Sequence, residues 1–336
     1  MPTHLTLGIL LVLAAGAMSG NCMTPLRGIR GWKWENAWLV FSFVSLILIP
    51  GVLAVLAVPH LASVYSQVTP TDLLVPLLFG AGWGIAQVLF GISIVNLGMA
   101  LGFSIIIGLG GLFGTLVPVL VQRPALLATP KGGLLLAGTA VMLLGVAVCG
   151  YAGHQRERVE AGKRVGRVSG YRGALALAIL CGVMAPMVNF ALAFGENVAR
   201  SAVRLGANPA NAPFAVWPVA LAGGWVPNTA YSIYLLTRNR SWTAYRRVWP
   251  AVGYSALMGL LWMGAMALYG VATRFLGTLG TSAGWGLYQI FGIAAANGSG
   301  LLVGEWAKAG RPATRVLLTG LVLLAVATVL MSAANL

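Results

Sequence analysis

The sequence predicts an all-α integral membrane protein with ten transmembrane helices. They form a five-plus-five inverted repeat with both termini outside. Three observations lead there. First, the 336 residues are 59% hydrophobic and only 8% charged, with a mean hydropathy of +0.88; a soluble domain carries about 25% charged residues. Second, the apolar residues gather in ten long runs, each near the ~20 residues that cross a hydrocarbon core. Third, twenty-one Lys and Arg face six Asp and Glu, and the bases sort unevenly between alternate gaps.

The runs cover about 4–24, 36–58, 72–95, 98–121, 131–152, 172–195, 213–237, 250–273, 279–304 and 312–333. Backbone groups in lipid must pair within their own segment, so each run is read as a helix. The runs are too long and continuous for the alternating pattern of a membrane β-barrel. The first run resembles a signal peptide around Ala15-Gly16-Ala17. No Lys or Arg precedes it, however, so it reads as a retained first helix.

Alternate gaps divide the bases sixteen to five. Arg27, Arg30 and Lys33 fall in the first gap. Arg156, Arg158, Lys163, Arg164, Arg167 and Arg172 fall in the fifth. Arg238, Arg240, Arg246 and Arg247 fall in the seventh, and Lys308, Arg311 and Arg315 in the ninth. The opposite side has Arg123, Lys131, Arg200, Arg204 and Arg274. The positive-inside rule places the sixteen in the cytoplasm. A net charge of +15 could also suit nucleic acid. These bases are scattered over loops with no basic domain to hold them, so a topology signal explains them and no nucleic-acid partner is expected.

The longest polar stretch leaves five spans on each side. It divides the chain into residues 1–152, a basic cytoplasmic linker at 153–171, and residues 172–336. An odd number of spans per half inserts the halves in opposite orientations, an architecture frequent among transporters. Glycines four apart, such as Gly80/Gly84 and Gly110/Gly114, let helices approach closely. Pro118, Pro186, Pro218 and Pro227 each remove a helical N–H. Cys22, Cys149 and Cys181 have no metal or disulfide spacing and read as free apolar thiols. The pattern suggests no cofactor.

Polar side chains inside spans seek the bundle interior. Helical spacing puts Trp83 and Gln87 on one face of span three, and Trp217, Asn228 and Tyr231 on one face of span seven. Trp262 and Tyr269 are seven apart in span eight. Trp285, Tyr288 and Gln289 lie on the most polar face, in span nine. Asn189 adds an amide in span six. Amides donate and accept to hydroxyls, and indole or phenol rings offer flat faces to the C–H side of a sugar. A substrate site of Trp83, Gln87, Asn189, Asn228, Trp262, Trp285, Tyr288 and Gln289 follows. The competing reading is that the rings form interfacial belts and the amides bridge helices. That reading is preferred for Trp38 and Trp306, near span ends.

Glu35 and Asp72 open helices, where acids suit the dipole. Glu157 and Glu160 fall in the basic loop and are expected to be solvated, and Glu305 lies near Lys308 and Arg311. Only Glu196, at the outer end of span six, is placed to reach a cavity.

The run Leu78-Phe79-Gly80-Ala81-Gly82-Trp83-Gly84-Ile85, followed by Asn96-Leu97-Gly98-Met99-Ala100-Leu101-Gly102, resembles the L-rhamnose–proton symporter family. So do Trp38 through Pro50, Pro59-His60-Leu61 with Val64-Tyr65-Ser66, and Glu305-Trp306 with Ala309-Gly310-Arg311. The similarity extends over essentially the whole chain. It implies the drug/metabolite transporter superfamily, a ten-helix five-plus-five inverted repeat, and a place in the inner membrane. It also implies uptake of L-rhamnose, or a related sugar, with a proton. If a proton is coupled, Glu196 is the candidate by elimination. A drug or metabolite exporter on the same fold stays open as the alternative. No Ser/His, paired-carboxylate or HExxH arrangement suggests an enzyme.

Overall fold

The computed structural model describes residues 2–161, 171–246 and 248–334, all as helices, turns and loops with no strand among them. The helices are α1 (Pro2–Asn21), α2 (Trp34–Phe43), α3 (Ile49–Ala57), α4 (Leu61–Ser66), α5 (Pro70–Leu97), α6 (Met99–Gln122) and α7 (Pro130–Ala161). They continue as α8 (Tyr171–Met184), α9 (Met187–Phe194), α10 (Glu196–Arg204), α11 (Pro213–Arg238), α12 (Ala251–Phe275), α13 (Ala283–Leu302) and α14 (Gly310–Ala334).

Eight helical segments among the described residues are long and apolar enough to cross a membrane. The sequence predicts ten. The other two expected spans are helical as well, as α11 with 26 residues and α13 with 20, but neither is among the eight. Both carry amides, indoles and glycines that dilute their apolarity. Many α11 residues are buried, among them Trp217, Asn228 and Ser232.

Proline explains where the helices depart from simple rods. Between α2 and α3 the chain widens into a π turn at Val44–Leu48, just before Pro50. Proline lacks an N–H and its ring presses on the carbonyl four residues back, which a wider turn relieves. The expected single span at 172–195 is broken at Ala185–Pro186 and again at Gly195, giving α8, α9 and α10. Pro118, Pro218 and Pro227 lie inside unbroken helices. Thr69 and Asp72 close a capping box on α5: the Asp72 N–H reaches Thr69 Oγ1 at 3.3 Å and the Thr69 N–H reaches Asp72 Oδ2 at 3.0 Å.

The helix α7 runs on through His154 and Arg158 to Ala161, nine residues past the apolar run. The centre of the expected linker, residues 162–170, lies outside the described residues.

Loops meet at two ends. At one end the Arg27 side chain pairs with Glu305, Lys33 Nζ donates to the Asn239 carbonyl at 3.1 Å, and Trp32 Nε1 donates to the Ala244 carbonyl at 3.1 Å. This basic end gathers loops that the charge count assigned to one side. At the other end Asn197 Nδ2 donates to Asp72 Oδ1 at 2.5 Å, Arg274 pairs with Glu196, and Gln122 Nε2 donates to the Ala193 carbonyl at 2.8 Å.

Small residues set the helix spacing. A Cβ at Gly80 would collide with the Ala220 carbonyl of α11, and one at Gly223 with the Leu77 carbonyl of α5. Only glycine permits so close an approach. Gly98, between α5 and α6, has φ +84°, a conformation natural to glycine.

Candidate functional site

The expected site residues fall into two aromatic layers joined by α12. In the first, Trp83 of α5 stacks on Trp262 of α12, with centroids 5.0 Å apart and planes inclined 21°. Trp262 meets Phe41 edge-on at 6.3 Å, and Phe41 packs on Trp38 at 4.7 Å. Trp38 Nε1 donates to Asn228 Oδ1 at 2.9 Å, and Asn228 Nδ2 donates to the Gly224 carbonyl at 2.9 Å. Trp83 reaches this position because Gly224 has no side chain: a Cβ there would lie 2.9 Å from the indole ring.

The second layer lies on α13. Trp285 and Tyr288 stack at 5.4 Å, and Tyr269 of α12 meets both rings, at 5.6 and 5.2 Å. Trp285 Nε1 donates to the Gly110 carbonyl at 3.0 Å, and a Cβ at Gly114 would collide with that indole. The Tyr288 hydroxyl donates to Ser19 Oγ at 2.7 Å, tying α13 to α1. Asn189 is fully buried. It donates to the Gly114 and Thr281 carbonyls at 3.0 and 2.7 Å and accepts the Tyr269 hydroxyl at 2.5 Å. The break before α9 is what presents this amide to three other segments at once.

Gln87 and Gln289 differ from these. Both are half-buried. Neither makes a hydrogen bond among the described residues, so their amides keep full capacity for a guest. Asn228 retains one N–H and part of its carbonyl capacity. Asn189 has both N–H groups engaged and is a structural tie first. Trp285 and Tyr288 have their polar atoms engaged and offer only ring surface.

Glu196 stands apart from both layers. Its carboxylate pairs with Arg274 at 3.1 Å, and its side chain is 46% exposed.

Sequence reasoning misplaced several residues. Trp38 and Trp306, expected in interfacial belts, are 9% and 5% exposed. Trp38 turns inward to hold Asn228, and Arg156 covers the Trp306 ring at 5.1 Å. Glu157, expected to be solvated, accepts the Ala100 N–H at 2.8 Å and so caps α6. Glu305 pairs with Arg27 and, at 3.3 Å, with Arg156, both far from it in the sequence. Linear spacing carries no signal for these long-range partners. The one available hint was that α7 keeps helical polarity past Ala152, which would place Arg156 and Glu157 on successive faces.

A family model for the L-rhamnose-proton symport protein matches residues 1–334. The chain belongs to this family. Among relatives, the L-rhamnose-proton symporter of Cronobacter sakazakii is 30% identical over 336 residues, covering 97% of each chain. The symporter of Mannheimia succiniciproducens is 31% identical over 325 residues, covering 93% of each. One from Escherichia coli O17:K52:H18 is 29% identical over 336 residues, again covering 97% of each. The L-rhamnose-proton symport family is one of multi-pass membrane transporters, not enzymes, and the exporter reading finds no support among these relatives.

Proposed function

We propose that this protein takes up L-rhamnose, or a closely related deoxysugar, together with a proton across the inner membrane. The observation that carries the reading is the family match over nearly the whole chain, joined to an interior of stacked rings and unengaged amides. The sugar lies between the halves near mid-membrane. Gln87 and Gln289 bind its hydroxyls with help from Asn228, and Trp83, Trp262, Trp285 and Tyr288 bound its ring. Asn189 shapes the wall.

The helices work as ten spans in two inverted repeats, residues 1–152 and 172–336, with both termini outside and the basic end in the cytoplasm. The packing pattern supports this. Under the exchange of halves, α1 corresponds to α8–α10, α2–α3 to α11, α5 to α12, α6 to α13 and α7 to α14. The pair of contacts α1 with α12 and α13 becomes α8 with α5 and α6; α5 with α11 becomes α12 with α2. Trp83 and Trp262 sit on corresponding helices, so their stack lies close to the exchange axis. Alternating access then rocks one half against the other about this centre.

For the proton we retain Glu196. Protonation removes its charge and releases Arg274, which uncouples α10 from α12. Reconstituted protein provides the test. Proteoliposomes should exchange labelled L-rhamnose in counterflow and accumulate it when the outside is acidified. Absence of any deoxysugar exchange would falsify the assignment. Exchange without pH-driven accumulation would remove the proton and leave a facilitator.

A further inference from the structure

We infer that a cleft at the basic end, between α6, α7 and α13, is a second sugar-binding station through which the substrate leaves. The inference rests on the sugar-transport reading above and concerns residues that reading does not use. The cleft has a volume of about 210 Å³. Pockets for drug-sized ligands measure roughly 300–1,000 Å³, so a smaller guest such as a monosaccharide is the appropriate scale.

Its walls combine the two elements of sugar recognition. Trp306 supplies a buried indole, held by the Arg156 guanidinium 5.1 Å from the ring centre. Polar groups converge on the same space with capacity to spare. Glu157 uses one oxygen to cap α6, and its other oxygen accepts no hydrogen bond among the described residues. Asn297 spends one N–H on the Ile293 carbonyl at 2.9 Å and keeps the rest of its amide. The Ser104 hydroxyl donates to the Ala100 carbonyl at 2.7 Å and can still accept. Carboxylate acceptors make hydrogen bonds roughly twice as strong as neutral ones, which compensates a hydroxyl for leaving water.

Charge selects the class of guest. The lining holds two carboxylates, Glu157 and Glu305, against one guanidinium, Arg156; Glu305 is paired with Arg156 and, from outside the cleft, with Arg27. That balance disfavours an anion. A neutral, polyhydroxylated ring is the ligand this lining fits.

A native reporter sits in the wall. Cys149 lines the cleft at 8% exposure, while Cys22 and Cys181 do not line it. Maleimide alkylation of Cys149 in the full-length protein, followed peptide by peptide, should slow severalfold and saturably as L-rhamnose is added, and not with an L-amino acid. Asn297→Ala and Ser104→Ala should each abolish that protection while sugar still raises the melting temperature through the central site. Protection that persists in both variants would instead trace to a conformational change at the centre and would overturn the inference. Unchanged alkylation in a protein that performs rhamnose counterflow would overturn it too, leaving the transport reading intact. Failure of counterflow itself would remove both.

Discussion

Trp38 and Asn228, 190 positions apart, share a hydrogen bond of 2.9 Å between the indole N–H and the amide oxygen. The bond joins α2 to α11. It also fixes the amide that faces the first aromatic layer, so the same contact bears on stability and on the proposed sugar site.

Asn228→Leu strands the buried Trp38 N–H. An unpaired buried donor costs about 1–3 kcal/mol, so the melting temperature of detergent-purified protein should fall and the KM for counterflow should rise. Trp38→Phe removes the donor and leaves the amide in place. It should lower stability with a much smaller change in KM. Equal KM effects from the two variants would argue against a sugar contact at Asn228.

Gly80 and Gly91 lie on the same helix in opposite circumstances. A Cβ at Gly80 would strike the Ala220 backbone, whereas nothing lies within 4 Å of a Cβ at Gly91. Gly80→Ala should cut the amount of folded protein recovered from membranes sharply. Gly91→Ala should be neutral or stabilise by up to ~1 kcal/mol through helix propensity. Size-exclusion profiles of the two variants decide the matter.

Glu196→Gln removes the charge that Arg274 meets. Exposed pairs contribute only about 0–1 kcal/mol, so folding should be preserved. We expect counterflow to continue and pH-driven accumulation to be lost. If accumulation is unchanged, the proton is carried elsewhere.

Tyr245, in the loop before α12, donates its hydroxyl to the Asn36 carbonyl at 3.0 Å, and burial pushes its phenol up from 10.0 to about 12. The unfolded chain therefore loses this proton first. The contribution of Tyr245 is complete below pH 10 and is lost as the pH rises through about 12. Tyr245→Phe should flatten the part of the stability decline that lies in that window, measured as the difference from the unaltered protein in alkaline melts.

Much of this was legible in the apolar runs. A hydrocarbon core imposes a length on every segment that crosses it, and that length can be read without knowing any contact. Pro186 marked a weak point in α8–α10, although its spacing could not say whether the helix would bend or break. The α11 and α13 helices were legible as apolar runs, and the sorting of bases to either side of them supported counting them, despite the polar faces that dilute them. Partner choice was not legible. Trp38 looked like an interfacial residue because it lies four positions from a helix start. Only the packing of α2 on α11 turns it inward. Glu157 looked like part of a charged loop because nothing in the sequence links it to residue 100. The candidate site was legible as a set of residue types, but which of them are spent on neighbours depends on those same packings: Asn189 is committed, Gln87 and Gln289 are not.

The bridges at the basic end have one more effect. Arg27 and Glu305 keep side-chain exposures of 63% and 30%, so ions reach them, and their attraction decays over a Debye length of about 8 Å at physiological ionic strength. The tie that Asn189 makes with Tyr269, Gly114 and Thr281 is neutral and dry, and dissolved ions leave it unchanged. Raising KCl should speed Cys149 alkylation while the Asn189 tie holds. The basic end is thus tuned by the ionic composition of the solution it meets, whereas the Asn189 tie is not.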